Sequence, residues 1–485
     1  MRLFFRIGLI FLILFLAIFL RVYRLDLSPP GLYADEASIG YNAYSILKTG
    51  KDEYGVSWPV FFRAFGDYKN PVFIYSLAPL ISLNGLKPET IRLGAAIWGS
   101  LAIPLLIFVT ITATNNFNLG CLAGAILALM PWHLHYSRIG FEAITFPTLL
   151  LLSLWGGLQW IKTKKLLPGV AFGISLGLTF YSYTTARLWT PLFFIILILL
   201  FRKQLVSVSQ KTIVFDLIMI MFLPLLVWLK QFPDSLMARM NQIAIWADKP
   251  PFDKLWWRFW STYAGHFKTN FLFLQGDTTL RHSSGVSSEI LISWGLLLII
   301  GFLAAVKKFR RQAFWQLTVI MIGLFPLAAA LTQTSPIATR TLQATPFFAL
   351  VIALGISRLK RPVLIAFFLL LTAWEFNRYY HDLIYAYPKR VSQPWHGFDA
   401  DLGPTIKSAY QKSQEQQKAL YLSDKIEQAY IQGLFFTKAD PRLWQTKQLA
   451  PFTVAEFKDV QPNQVWVVTQ DDCSQKDHDY CVLAY

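Results

Sequence analysis

Long apolar segments alternate with short basic links along most of the chain. Runs long enough to cross a bilayer, about 17 to 25 residues, lie at 3–21, 91–112, 117–134, 142–161, 166–182, 188–201, 212–230, 288–306, 313–332, 341–357 and 361–380. Uninterrupted apolar runs of this length indicate transmembrane helices. The first run is longer than the core of a signal peptide and lacks a small-x-small cleavage site before Arg21, so we interpret it as a retained span. The pattern predicts a polytopic α-helical membrane protein with about eleven spans.

The basic links predict the orientation of these spans. Lys and Arg cluster at 162–165, 202–211, 307–311 and 358–361. Alternation of the spans places all four clusters on the side of the N-terminus, and cytoplasmic loops are the ones enriched in Lys and Arg. We therefore predict a multi-pass plasma-membrane protein with its N-terminus in the cytoplasm and its C-terminus outside. The segments then expected to face outward are 22–90, 135–141, 183–187, 231–287, 333–340 and the tail from 381.

Composition agrees with a membrane protein and argues against nucleic-acid binding. Of the 485 residues, 54% are hydrophobic and only 15% are charged, whereas soluble proteins carry about 25% charged residues. The net charge of +17 comes from the links between spans and is no nucleic-acid footprint. No glycine-rich phosphate loop stands out. Cys473 and Cys481 share a polar tail, where they could pair in an oxidising compartment.

The chain is predicted to form two domains, a transmembrane domain at 1–380 and a small extracytoplasmic α/β domain at 381–485. The transmembrane domain includes a long first outward loop, 22–90, and a large outward loop, 231–287. In the tail, β-branched and aromatic content predicts strands at Ala419–Leu422 and Gln464–Thr469, and helices are expected at Thr405–Gln417 and Lys425–Phe435.

The first outward loop carries two adjacent carboxylates, Asp35 and Glu36, at the start of an amphipathic stretch. Interfacial helices are expected near 37–48 and 70–83. Ionisable groups held at a membrane boundary are functional candidates by default. Acidic residues also stabilise helix N-termini, so a capping role is the alternative for this pair.

The segment Leu32-Tyr-Ala-Asp-Glu-Ala-Ser-Ile-Gly-Tyr-Asn-Ala43 resembles the first-loop motif of the GT-C superfamily. Within that superfamily it looks like glycosyltransferase family 39, the protein O-mannosyltransferase and aminoarabinose transferase group. The architecture matches over about residues 1–380. The resemblance implies that Asp35 is the catalytic base, that Glu36 is its acidic neighbour and that Glu142 is a second-loop acidic residue. It also implies that Arg340 lies against the phosphate of a polyprenyl-phosphate-linked sugar.

Chemistry supports this set of residues independently. The phosphate of such a donor is already a good leaving group, so the protein needs a carboxylate to deprotonate the acceptor and cations to stabilise the phosphate. Arginine suits phosphate because its planar fork reaches two oxygens. The candidate substrate-binding residues are Arg340, Arg281, Arg63, Lys69, Arg138, His282 and Asp277.

Each of these candidates has a simpler interpretation. Arg340 could be an arginine that snorkels at the end of a span, and Arg138 with Glu142 could form a local ion pair. His133 and His135 could bind metal, but no clustered ligands accompany them, so no cofactor is firmly implied and a divalent cation has no support.

The predicted function is transfer of a hexosyl or pentosyl group, with inversion, from a polyprenyl-phosphate donor to an extracytoplasmic protein, lipid or cell-envelope glycan. The alternative is a transporter or flippase of a lipid-linked sugar. A transporter should carry acidic or broken helices at mid-membrane, whereas the carboxylates here cluster in outward loops, and flipping requires no general base.

Overall fold

The computed structural model describes residues 2–206, 210–334, 336–392, 397–417, 420–446, 465–468 and 481–482, and these residues are mainly helical. They form two compact units. Unit 1 comprises the start of the chain to Tyr23, Ala95–Arg138 and Glu142–Leu383, and unit 2 comprises Arg24–Gly94, Ile139–Phe141 and the described residues from Ile384 onward.

Unit 1 contains the apolar helices. They are α1 (Arg2–Val22), most of α4 (Pro88–Thr114), α5 (Phe117–Leu129), α6 (Pro131–Tyr136), α7 (Thr145–Thr163), α8 (Leu166–Phe180), α9 (Ala186–Val206), α10 (Lys211–Met221), α11 (Leu223–Gln231), α12 (Ala238–Ile243), α13 (Phe252–Gly265), α14 (Gly295–Phe309), α15 (Ala313–Leu324), α16 (Leu327–Ala330), α17 (Thr345–Ile356) and α18 (Pro362–His381).

Unit 2 contains the loop between the first two predicted spans and the tail. Its helices are α2 (Ala34–Thr49), α3 (Pro71–Asn84), the first turns of α4, α19 (Tyr387–Val391), α20 (Leu402–Glu415), α21 (Ala429–Thr437) and α22 (Pro441–Thr446). The hairpin of β1 (Phe62–Ala64) and β2 (Asp67–Lys69) is antiparallel. The strands β3 (Leu420–Ser423), β4 (Val465–Val468) and β5 (Cys481–Val482) form a parallel sheet in the order β4-β3-β5.

Each predicted membrane run contains a helix in the structure, and the number of spans stays a prediction. Eight segments among the described residues are long and apolar enough to span a membrane: Phe4–Val22, Pro88–Thr114, Glu142–Thr163, Ala186–Leu205, Lys211–Gln231, Ile292–Phe309, Ala313–Ala330 and Thr339–Ile356. The predicted runs at 117–134, 166–182 and 361–380 correspond to α5, α8 and α18. The polytopic helical fold class with a small C-terminal sheet region is therefore confirmed. Of the two tail cysteines, Cys473 lies outside the described residues.

Within unit 2 the first loop packs against the tail. The Tyr41 hydroxyl donates a hydrogen bond to the Ala439 carbonyl at 3.1 Å, and the Gln432 side-chain amide donates to the Leu32 carbonyl at 3.2 Å. The predicted boundary at 380 separates this loop from the tail, whereas its contacts group it with the residues from Ile384. The domain assignment itself stays a prediction. These contacts bury most of α2.

In unit 1, α14 and α17 approach each other closely at two glycines. A Cβ atom on Gly301 would lie 1.8 Å from the Val351 carbonyl oxygen, and one on Gly355 would lie 1.9 Å from the Leu297 carbonyl oxygen. Small residues allow helix backbones to pack at this distance where the surrounding medium is as apolar as the side chains. Any side chain at either position must push the two helices apart.

Replacing Gly301 by Ala is therefore expected to lower the unfolding temperature in detergent, at an overpacking cost of about 1–3 kcal/mol. Gly323→Ala is the matched control, because nothing lies within 4 Å of the added Cβ atom at that helical position. Equal unfolding temperatures for the two variants would show that the two helices do not pack as described.

Candidate active site

The partly exposed carboxylate of Asp35 lies in the first turn of α2. Its Oδ1 atom lies 2.5 Å from the Lys69 Nζ atom, and the two side chains are 30% and 14% exposed, respectively. Asp35 does not cap the helix, since the residue at the cap position is Tyr33. The carboxylate predicted as a base is thus directed at a cation and stays accessible to solvent.

The neighbouring carboxylate of Glu36 is fully buried and has a different environment. Its Oε1 accepts hydrogen bonds from the Gly140 amide at 2.7 Å and from Arg92 Nε at 3.2 Å. Its Oε2 accepts from Arg92 Nη2 and from the Tyr33 amide, both at 3.2 Å. Glu36 was predicted as a catalytic residue, but this geometry is that of a buried structural anchor, and the capping alternative therefore applies to Glu36.

Arg92, near the start of α4, extends this anchor to the chain before α2. Its Nη1 donates to the Pro29 carbonyl at 2.6 Å, and its Nη2 also donates to the Gly31 carbonyl. The side chain is 1% exposed. A buried charge is tolerated only when it is paired and hydrogen-bonded, and Arg92 fulfils both conditions. Because Arg92 fixes the entry to α2, it also fixes the position of the adjacent Asp35.

The β1–β2 hairpin supplies two of the predicted cations. Positive φ angles of 54° at Phe65 and 74° at Gly66 form its turn, and Phe62 pairs with Lys69 in its register. The Lys69 Nζ atom lies 5.2 Å from the centroid of the Phe65 ring, and Arg63 lies 5.2 Å from that of the Tyr54 ring. Both are cation–π distances. Tyr430 connects the two pairs, because its ring contacts that of Phe65 at 6.1 Å and its hydroxyl lies 3.4 Å from that of Tyr54.

A further buried carboxyl, Glu53, lies beside these side chains and was not predicted from the sequence. Asn42 donates to its Oε1 at 3.1 Å, and no described residue donates a hydrogen bond to its Oε2. Burial raises the pKa of Glu53 to about 8; the Asn42 hydrogen bond opposes this shift, the charge of Asp52 adds to it and the charge of Lys69 opposes it. The residue follows no recognisable motif, which is why the pattern of the loop did not reveal it.

The polar candidates of unit 1 gather around Asp277, which is 2% exposed. Its carboxylate accepts from the Thr279 amide at 2.9 Å, from His282 Nδ1 at 3.1 Å and from the Ala338 amide at 2.8 Å. Burial alone would raise the pKa of Asp277, but the hydrogen bond and charge of His282 and the amide bonds outweigh it, so the pKa is lowered. Asp277 thereby joins the loop at 231–287 to the segment that leads into Arg340.

Other side chains complete this polar region. Glu289 is buried and accepts from the Asp277 amide at 2.9 Å, and its burial, together with the charge of Asp277, raises its pKa well above the usual value. The Tyr136 ring stacks on His282, with centroids 6.3 Å apart. His135 Nε2 contacts the Arg281 carbonyl at 3.1 Å. Neither Glu289 nor Tyr136 was predicted.

Arg340 lies beside this cluster. Its Nη1 donates to the Thr332 hydroxyl and, at 3.4 Å, to the Thr334 hydroxyl. Its charge also interacts with those of Asp277 and Arg239. The guanidinium groups of Arg340 and Arg239 repel each other in a partly buried region, and an anion bound between two such groups would be favourable. A side chain that snorkels would extend to the surface instead, whereas Arg340 is half-buried.

Two predicted residues take other positions. The Arg138 side chain is buried and donates to the carbonyls of Leu20, Arg21 and Tyr23, at 3.0 Å, 3.1 Å and 3.0 Å. Arg138 therefore supplies hydrogen-bond donors to the last carbonyl groups of α1 and the residue that follows it, which is a structural role. Glu142 is half-buried and begins a 3-10 turn ahead of α7. Among the described residues, no group of three or more His, Cys, Asp or Glu side chains could hold a metal ion.

The fold of this chain is similar to those of two solved proteins. No family model and no curated protein matches the sequence. The solved structure of ArnT from Cupriavidus metallidurans bound to undecaprenyl phosphate is similar, with a TM-score of 0.57 at 12% identity over 92% of this chain and 89% of that one. So is the Archaeoglobus fulgidus oligosaccharyltransferase AglB with an inhibitory peptide and a dolichol-phosphate, with a TM-score of 0.56 at 12% identity. The match covers 90% of this chain but 64% of AglB.

Replacement of Glu36 by Gln is expected to destabilise the protein, because Arg92 would stay buried without its counter-charge. Breaking a buried pair in this way costs about 3–5 kcal/mol. Asp35→Asn is the matched neighbour and should cost only about 0–1 kcal/mol, since its pair with Lys69 is partly exposed. The unfolding temperatures of both variants in the same detergent provide the measurement. An equal loss in the two would contradict the anchoring role of Glu36.

The pKa of Glu53 predicts a pH dependence of stability. Because folding raises this pKa from 4.5 to about 8, the folded state favours the protonated carboxyl. Its contribution to stability is complete below pH 4.5 and is lost as the pH rises to about 8. Glu53→Gln, which cannot ionise, should flatten the fall in unfolding temperature over this interval, whereas the exposed Glu415→Gln should not. An unchanged slope in Glu53→Gln would contradict this assignment.

Proposed function

We propose that this protein is a membrane glycosyltransferase that moves a sugar from a polyprenyl-phosphate donor to an extracytoplasmic acceptor. The observation that carries the proposal is the difference between the two adjacent carboxylates, because Glu36 is fully engaged in structure while Asp35 is accessible and held by Lys69. The fold supports it, since the two similar solved proteins were determined with undecaprenyl phosphate and with a dolichol-phosphate bound.

In this mechanism Asp35 acts as the general base. Its carboxylate takes the proton of the acceptor hydroxyl or amine, and the acceptor atom forms a bond to the anomeric carbon. The bond between that carbon and the phosphate oxygen breaks, and its electron pair leaves with the polyprenyl phosphate. A single displacement of this kind inverts the anomeric centre. Lys69 orients the carboxylate through their ion pair, and the buried Glu36–Arg92 pair keeps α2 in place.

Arg340 is assigned to the donor phosphate. As the glycosidic bond breaks, negative charge grows on the phosphate, and cations placed in advance stabilise that charge without reorganisation. The Thr332 hydroxyl and the proximity of Asp277 restrain the guanidinium. Arg281, His282, Arg63 and Lys69 are the further candidate donor ligands, and Asp277 positions His282.

Asp35→Asn is expected to lower transfer about 100- to 10,000-fold, because the amide keeps the size of the side chain but cannot accept the proton. The measurement is acceptor-dependent transfer by purified protein from a panel of labelled polyprenyl-phosphate sugars. Asp424→Asn, an exposed carboxylate of the same unit, is the control and should keep full activity. Near-normal transfer by Asp35→Asn would exclude Asp35 as the base.

Arg340→Ala should weaken donor use about 10- to 150-fold, which corresponds to one charge-assisted hydrogen bond of about 1.5–3 kcal/mol. Arg340→Lys should recover part of the loss, since an ammonium lacks the bidentate fork. The measurement is donor titration at one fixed acceptor concentration, with the exposed Arg311→Ala as control. If all variants saturate like the wild type, the phosphate site lies elsewhere and Arg281 is the next residue to test.

A further inference from the structure

The helix α13, in the large outward loop, presents an aromatic face that the described residues leave uncovered and that only the exposed Asp253, in its first turn, interrupts. Phe252, Trp256, Trp257 and Trp260 are 76%, 57%, 73% and 43% exposed. At 100° per residue these four positions fall within an arc of about 140°. An exposed aromatic patch of this density on a folded protein marks an interaction surface.

The flank of this aromatic face is polar. Lys254 and Ser261 are exposed on it, and Arg258 forms a bidentate pair with Asp248, with N–O distances of 2.6 Å and 2.8 Å. The helix is therefore amphipathic, with aromatic residues on one side and basic or hydroxylated residues beside them. This is the distribution found in helices that lie along a bilayer surface.

The remaining edge of α13 fixes the helix against a predicted membrane span. The Thr262 hydroxyl donates to the Ala330 carbonyl at 3.1 Å, and the Tyr263 hydroxyl donates to the Gly323 carbonyl. Both carbonyls belong to the apolar segment Ala313–Ala330. Thr262 and Tyr263 therefore hold the C-terminal end of α13 against the last part of this segment. The end of a span is where the hydrocarbon core of a bilayer gives way to the headgroup region.

We propose that α13 is an interfacial anchor whose aromatic face lies in the boundary between lipid headgroups and acyl chains. Trp side chains favour this boundary because the ring is apolar and the indole N–H can still reach water or headgroups. Lys254 then extends towards the headgroup phosphates, whereas Arg258 stays paired with Asp248. The partner is thus the bilayer itself and not another protein.

The anchor is connected to the segment that carries Arg340. His266 follows α13 directly, its Nδ1 donates to the Thr262 carbonyl at 2.9 Å, and its Nε2 accepts from the Ile337 amide at 3.2 Å. Ile337 precedes Arg340 by three residues. Burial of the aromatic face in lipid therefore holds the Arg340 segment relative to the membrane surface, where a lipid-linked donor presents its phosphate. This second step rests on the proposed function.

The anchor is tested with nitroxide labels at Trp256→Cys and Lys254→Cys, in a background where the native cysteines are Ser and the protein is in nanodiscs. The two positions lie about 160° apart around the helix. The label at 256 should be relaxed by oxygen, which concentrates in lipid, and the label at 254 by a water-soluble nickel chelate. Equal access of the chelate to both labels would overturn the proposal. So would protection at 256 that depends on protein concentration in detergent, since a second copy would then cover the face.

The connection to Arg340 is tested with Trp256→Ser, Trp257→Ser and Trp260→Ser combined. In nanodiscs, the apparent KM for the donor should rise about threefold to tenfold, while the acceptor KM and the kcat stay unchanged; Lys268→Gln, an exposed lysine outside α13, is the control. If the donor KM is unchanged while the label at 256 reports lipid, α13 is an anchor that does not affect the Arg340 segment. That result would overturn the connection between the two. If the wild type transfers no sugar but the labels report lipid, the proposed function fails and the anchor stands.

Discussion

The buried pair of Glu36 and Arg92 is the interaction on which the geometry of the candidate base depends. One carboxylate accepts bonds from a guanidinium and from two backbone amides, and the same guanidinium donates to two carbonyls ahead of α2. Such a network holds its members in one arrangement because each bond it loses would leave a buried polar group unpaired. Asp35 is next to Glu36 in the chain, so the network also fixes the backbone position of Asp35. Only the side-chain torsions of Asp35 remain free.

This division of roles between neighbours follows from their places in the helix. Successive helical residues differ by 100° in direction, so two adjacent carboxylates cannot share one environment. Glu36 turns towards the interior of unit 2 and is fully buried, while Asp35 turns towards the hairpin that carries Lys69 and stays partly open to solvent. A general base must be reached by its substrate, and of the two carboxylates Asp35 meets this requirement.

The sequence predicted the elements of the fold well and the roles of individual polar residues less well. Apolar runs predict helices because the bilayer demands satisfied backbone groups over a fixed length, and all the predicted runs are helical. The strands near 420 and 466 followed from β-branched and aromatic residues. The structural role of Arg138 could not be predicted, because the carbonyls that it satisfies belong to α1, more than a hundred residues earlier. The buried carboxyls of Glu53 and Glu289 could not be predicted for the same reason, since burial depends on how distant parts of the chain pack together.

One carboxylate within the apolar helices, that of Glu375, bears on the alternative of a transporter or flippase. A transport pathway would need an ionisable group that exchanges partners as the protein moves. Glu375, in α18, instead uses both oxygens for backbone amides, with Oε1 accepting from Ile292 at 2.6 Å and Oε2 from Ser293 at 2.9 Å. It satisfies the start of the span Ile292–Phe309, where the first helical N–H groups have no partner of their own. Glu375 is therefore a fixed contact between α18 and the start of this span, and it offers no exchanging site of the kind that a transporter needs.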